Sequence, residues 1–167
     1  MPASPDFPAG PPPAHPVASE AEIPSLIDAL ADAPGAFRAA VDGLRDAQLD
    51  THYRNWTIRQ IVHHVADSHA HSYLRFKLAL TETNPTVRPY AENAWANLPD
   101  ARSAPLDAPL DLIEAVHGSW VVVLRSMSWE NFGRTFFHPE LRETVPLSLA
   151  IAYYPWHARH HTAQINW

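Results

Sequence analysis

The sequence contains no cysteine. That excludes disulfides, thiolate metal ligands and a cysteine nucleophile, so any thiol in its chemistry has to come from a substrate. No apolar run approaches the roughly 18–20 residues of a membrane span. The opening stretch "MPASPDFPAGPPPAHP" has neither a basic start nor an apolar centre, so it is not a secretory signal, and the cytoplasm is the expected compartment. Positive charge is in deficit. Twelve Lys and Arg stand against 18 Asp and Glu, a net charge of −6 with histidines neutral. No basic stripe can be built from these residues, which argues against a nucleic-acid partner. There are no internal repeats.

What is present describes one folded unit. A length of 167 residues suits a single domain with a sizeable core. Apolar residues make up 46% and charged residues 18%, as in globular proteins. Residues 1–18 hold seven prolines and read as an extended arm, loose or lying on the domain surface. Residues 19–167 read as the domain.

Four segments carry helical periodicity. Ser19 with Glu22 has capping-box spacing, and Ile23, Leu26, Ile27, Leu30, Phe37, Val41 and Leu44 follow at helical steps. Pro34-Gly35 interrupts them, so one kinked helix or two short ones are expected. Thr57 and Gln60 form a second cap before a stripe of Ile58, Ile61, Val62, Val65, Tyr73, Phe76 and Leu80, which predicts a helix over about 57–82. A third helix is expected over 109–127, with Leu112, Ile113, Val116, Trp120, Val123 and Leu124 inward. The stretch "SWENFGRTFFHPELRETVPL" reads as irregular, with a short helix or a hairpin-like turn. "SLAIAYYPWHARHHTAQINW" is the fourth helical segment, and Pro155 should kink it or mark its effective start. Residues 84–108 form a long proline-punctuated connection of the kind that covers a site. The sum is an all-α antiparallel four-helix bundle with one long crossover loop.

Histidine is the unusual residue. There are eleven, four of them in 63–71 and three in 157–161. His157 and His161 are four apart and share a helix face with Gln164 and Tyr153, and His160 sits beside them. An i, i+4 histidine pair brings two imidazoles to one point and is a standard chelate for a transition metal. Ala158 stands where the zinc-protease pattern H-E-x-x-H has its glutamate, so that reaction lacks its base. A third ligand from a facing helix would leave coordination positions open. On the 57–82 helix, His64 flanks the core seam on the side of Ser68, His71 and Arg75. His64 and His71 are therefore both candidates. His69 falls inside the apolar stripe and His63 on the opposite flank. With His71, these two read as structural if they are not ligands. Trp56, Tyr73, Trp120, Tyr153, Tyr154 and Trp156 read as core or pocket wall, and Arg59, Arg75 and Arg159 as surface or salt-bridge residues.

The segments "NWTIRQIVHHVADSHAHSYLRFKLALTETNPTVRPYAENAWANLPD", "FHPE" and "YYPWHARHHTAQI" together resemble the YfiT-like branch of the DinB superfamily, over about residues 20–165. The shared pattern is a Trp, a His eight residues on, and H-x-x-x-H-x-x-Q far downstream. The resemblance implies a four-helix bundle that forms homodimers and holds one divalent metal, zinc or nickel, on three histidines. Those positions are His64, His157 and His161 here, with Gln164 at the glutamine position, so the resemblance selects His64 over His71. It implies either a metal-dependent hydrolase or a bacillithiol S-transferase. Two departures are Pro155, just before the metal pair, and the stop at Trp167, which is expected to shorten the last helix.

The expected function is thiol transfer. The metal lowers the pKa of a small bacillithiol-like thiol, and the thiolate attacks an electrophile such as an epoxide, halide or antibiotic. His160, Tyr153, Arg75 and Gln164 are candidates for hydrogen bonds around the open positions. The alternatives are hydrolysis by a metal-activated water and a metal-stabilised bundle used for binding or sensing.

Overall fold

The computed structural model describes residues 4–167. In chain order its elements are α1 (Ile23–Val41), α2 (Asp46–Leu49), β1 (His52–Tyr53), β2 (Trp56–Thr57), α3 (Ile58–Thr81), α4 (Glu92–Trp95), α5 (Pro99–Ser103), α6 (Asp107–Ser126), β3 (Thr135–His138), β4 (Glu143–Pro146) and α7 (Leu147–Asn166). The strands form two small antiparallel pairs, β1 with β2 and β3 with β4. The four long helices α1, α3, α6 and α7 make the bundle.

Local chemistry sets the helix starts. Thr57 Oγ1 accepts from the Gln60 N–H at 3.2 Å, and the Gln60 side chain accepts from the Thr57 N–H at 2.9 Å, a reciprocal cap that begins α3 one residue on. The Glu22 carboxylate accepts from Ser19 N–H at 3.0 Å, closing a 3₁₀ turn that leads directly into α1. Pro34 and Gly35 do not divide α1, which runs through them as one helix. Nor does Pro155 mark a start: α7 begins eight residues before it and continues to Asn166. The expected inward position of Leu112 is corrected. It is exposed, and the buried stripe of α6 runs through Ile113, His117, Trp120 and Leu124 instead. The irregular stretch after α6 holds both a 3₁₀ turn, Trp129–Gly133, and the β3–β4 hairpin.

The bundle contains two parallel pairs that oppose each other. Arg38, late in α1, bonds Asp111 and Glu114, early in α6, at 2.6 and 2.8 Å, and Arg125, late in α6, pairs with Asp28, early in α1. These two helices are therefore antiparallel. In α3 and α6 the order matches. Arg59 donates to the Ala104 carbonyl just ahead of α6 at 2.8 Å, His69 meets His117, and Phe76 meets Trp120 with ring centroids 5.1 Å apart. Two parallel neighbours need a connection as long as the helix itself. Residues 82–106, with α4 and α5, supply it. Buried Arg59 ties this connection, held at the Ala104 carbonyl, to α2, pairing with Asp46 and Asp50 at 2.9 and 3.1 Å.

The core divides along its length. One apolar cluster gathers Leu30, Phe76, Trp120, Leu147 and Ile151, and the other Phe37, Ile61, Val65, Ile113 and Ala158. At the level between them α3, α6 and α7 present His69, His117 and His157, all buried. The N-terminal arm is anchored on the outside. The Pro5 carbonyl accepts from the Tyr53 hydroxyl at 2.7 Å and the Gly10 carbonyl from Trp156 Nε1 at 3.0 Å. No helix among the described residues is long and apolar enough to cross a membrane.

Candidate metal centre

His64 of α3 meets His157 and His161 of α7 where the two helices cross the seam. The ring centroids lie 5.4 Å (His64–His157), 5.0 Å (His64–His161) and 4.4 Å (His157–His161) apart. Each ring offers one nitrogen, and these three nitrogens all lie within 4.8 Å of one another. All three side chains are buried. The antiparallel crossing is what brings position 64 to the level of 157 and 161, ninety-odd residues downstream.

Each ring has its Nδ1 occupied by a neutral partner. His161 Nδ1 donates to Gln164 Oε1 at 2.7 Å, His157 Nδ1 meets His69 Nε2 at 3.0 Å, and His64 Nδ1 meets the Tyr90 hydroxyl at 3.3 Å. Trp56 packs against the His64 ring at 4.5 Å and donates its indole N–H to Asn93. Burial pushes His64 down to about 4 and His157 and His161 well below the ordinary histidine value. The rings are therefore neutral at neutral pH, the form that binds a metal. The donor set itself tests the fit. His157 Nε2 and His161 Nε2 face each other at 3.2 Å. With both protons on Nδ1, two lone pairs are held in opposition, an arrangement that a cation between them relieves.

The other histidines lie elsewhere. His71 bonds the Asp67 carbonyl at 2.8 Å and stacks on Tyr90, outside the cluster. His160 stacks on Trp156 at 4.9 Å, beneath Phe7 of the arm, and accepts from Gln164 Nε2 at 2.9 Å, so it faces the arm. Gln164 thus bridges His160 and His161. His63 is buried on another side of α3. His69, in the apolar stripe as expected, is fully buried between His157 and His117. His117 escaped the sequence reading. Its signal was its place in the α6 stripe, four residues after Ile113 and three before Trp120.

A cavity of about 360 Å³ opens on His157. Arg75, Tyr90, Glu92, Tyr153 and Tyr154 line it, with His138 and two further carboxylates from the hairpin region. Tyr153 lies against His157, with centroids 5.6 Å apart, and burial raises its hydroxyl to about 12. Burial raises Tyr90 as well. Both hydroxyls thus keep their protons at neutral pH. The Arg75 guanidinium approaches the Tyr154 hydroxyl at 3.4 Å, and its buried Nε has no partner. Glu92 was not foreseen in this cavity because it comes from the crossover connection.

A family model for the DinB superfamily matches residues 8–165. The chain belongs to the DinB superfamily. A Bacillus cereus relative named "Putative metal-dependent hydrolase" is 49% identical over 150 residues, covering 89% of this chain and 86% of the relative. The Bacillus subtilis "Putative metal-dependent hydrolase YfiT" is 45% identical over 142 residues, 84% of this chain and 80% of that one. The solved YfiT structure superposes with a TM-score of 0.91 at 42% identity, covering 95% of this chain and 92% of the other. It is described as "a probable metal-dependent hydrolase with an unusual four-helix bundle topology". Within this DinB fold the three-histidine cluster, where α3 meets α7, is the candidate metal site.

Proposed function

We propose that this DinB protein is a metal-dependent enzyme that joins a low-molecular-weight thiol, bacillithiol or a close analogue, to an electrophilic small molecule. His64, His157 and His161 hold one divalent metal, zinc or nickel. The observation that carries this reading is the neutrality of the whole cluster. Three uncharged rings with three uncharged outer partners come together, and one of them, His157, lines a cavity whose wall includes the Tyr90, Tyr153 and Tyr154 hydroxyls.

When bound, a divalent metal supplies the Lewis acidity that lowers the pKa of a thiol or a water. The histidine shell adds no negative charge to blunt that effect. The Tyr153 hydroxyl, kept protonated by burial, donates to the atom that leaves the electrophile. Arg75 lends positive charge to the same wall. In the transfer the thiol proton passes to solvent and the carbon–sulfur bond forms. The carbon–leaving-group bond breaks with its electron pair on the leaving atom. The test mixes metal-loaded protein with bacillithiol and an alkyl halide or epoxide and follows loss of free thiol. Loss faster than the uncatalysed reaction is expected. Background rates with bacillithiol and with other small thiols overturn the proposal.

Glu92 favours a second reading. A carboxylate lining the same cavity can take a proton from water, which is what hydrolysis requires. Ester or amide cleavage that disappears in Glu92→Gln while thiols stay inert would select it.

A further inference from the structure

Leu30 and Pro34 stand one turn apart in α1. A helical carbonyl normally accepts from the N–H four residues on, and Pro34 has none. The Leu30 carbonyl is thus freed inside the bundle, where a bare acceptor is costly. His117 of α6 takes it, with Nδ1 at 2.7 Å. The interruption that the sequence shows at Pro34-Gly35 therefore opens a hydrogen-bonding position and leaves the helix whole.

A carbonyl can only accept, so His117 carries its proton on Nδ1. In the neutral ring Nε2 is then an acceptor. That atom lies 2.7 Å from His69 Nδ1, so His69 too is protonated on Nδ1 and accepts at Nε2. His69 Nε2 lies 3.0 Å from His157 Nδ1, which must donate. The direction set at the Leu30 carbonyl thus reaches the cluster and leaves His157 Nε2 bare, facing His161. The His69 and His117 rings lie edge to edge and nearly coplanar, with planes 6° apart and centroids 4.9 Å apart, so neither can turn without breaking the bond between them. His69 is fully buried and His117 is 1% exposed, and burial disfavours charging any ring of the chain.

We propose that His69 and His117 are positioning residues that fix the Nδ1–H tautomer of His157, with the carbonyl freed by Pro34 setting the direction. A proton on His157 Nε2 would occupy the place a metal needs, so the purpose of the chain rests on the metal reading above. The tautomer itself does not.

The test is nitrogen-15 NMR of the full, metal-free chain labelled at histidine, at pH 7.5. His117, His69 and His157 should each show a protonated Nδ1 and a bare Nε2. In His117→Leu, His69 loses its acceptor, so His157 should become a mixture of tautomers. Its zinc affinity, read by chelator competition, should fall about 10–100-fold, the range for loss of an outer partner of a metal ligand. His117→Gln, whose amide can donate to Leu30 and accept from His69, should restore both readouts. A proton on His157 Nε2 in the wild-type protein overturns the proposal without any variant. So does a folded His117→Leu protein with unchanged tautomer and unchanged zinc affinity. Absence of zinc binding by the wild type, with all three rings protonated on Nδ1, supports the tautomer chain and overturns the metal reading instead.

Discussion

His157 Nε2 and His161 Nε2 stand 3.2 Å apart, while the Nδ1 atoms of the same rings are taken by His69 and Gln164. Two imidazoles four residues apart on one helix are held with their lone pairs opposed, and His64 closes the third side. Removing one ring should therefore disable the site. In His161→Ala, zinc affinity should drop by more than the roughly 10–100-fold expected for an outer partner, because a direct ligand is lost. Metal analysis after purification and chelator competition measure this. Full metal content in the variant would show that the cluster is not the site.

Metal removal should lower thermal stability. A ligand that binds only the folded state adds about 2.7 kcal/mol at a free concentration a hundred times its Kd. Melting temperature should rise with added zinc and fall after chelation, and this dependence should vanish in His64→Ala. A melting temperature indifferent to zinc argues against binding at the cluster.

The metal-free protein should lose stability as the solution is acidified below about pH 6.5. Burial holds His64 at about 4 and His69, His157 and His161 well below their ordinary value. Their folded-state pKa values lie below the unfolded ones, so between about 6.5 and 4 the unfolded chain binds more protons. Stability then falls toward low pH, by at most about 1.4 kcal/mol per pH unit for each ring. Above that window these rings contribute no slope. Asp67 acts in the opposite sense: burial raises it to about 6, so its contribution is lost as pH rises from 3.8 toward that value. Burial raises Glu92 in the same sense as Asp67 and lowers His63 and His117 as it does the four rings, so the lowered rings outnumber the raised carboxyls. Urea unfolding at pH 7.5, 6 and 5 checks the sign, and constant stability across that range would contradict it.

Tyr153→Phe should slow turnover while leaving metal affinity unchanged. Tyr153 lines the cavity and lies against His157 ring to ring, apart from the Nδ1 bonds that hold the cluster. A lost donor of this kind costs about 100-fold when it stabilises charge in the transition state. An unchanged kcat would place the leaving atom away from Tyr153.

Phe76→Ala should destabilise the bundle by about 3–5 kcal/mol, because a fully buried ring against Trp120 leaves a cavity the helices cannot close. Denaturant unfolding reads this directly. A cost under about 1 kcal/mol would mean that the core relaxes around the gap.

Much of the bundle was legible in the chain. The reciprocal cap of Thr57 and Gln60 and the apolar steps after it placed α3 to within a residue at each end, because both signals are local. His157 and His161 were legible for the same reason: a spacing of four on one helix needs no tertiary information. Leu112 was misplaced because a helix with leucine and valine on several faces has more than one plausible inward stripe, and packing chooses among them. At Pro34 and Pro155, where the sequence allowed either a kink or a boundary, one helix runs through. A proline removes one helical bond, and neighbours in a packed bundle can compensate.

The sequence alone determined the helices, the absence of any protein thiol and the paired imidazoles, since these depend on residue type and short-range spacing. Between His64 and His71 the helix faces left the choice open, and family resemblance picked His64. The antiparallel crossing of α3 and α7 puts position 64, and not 71, level with the pair. Only the tertiary structure brought Glu92 from the crossover to the cavity and joined Leu30, His117, His69 and His157 in one hydrogen-bonded chain. Each link in that chain comes from a different helix, or from a carbonyl that is free because a proline sits one turn on. No periodicity within one segment records such a contact, because it exists only when the helices pack.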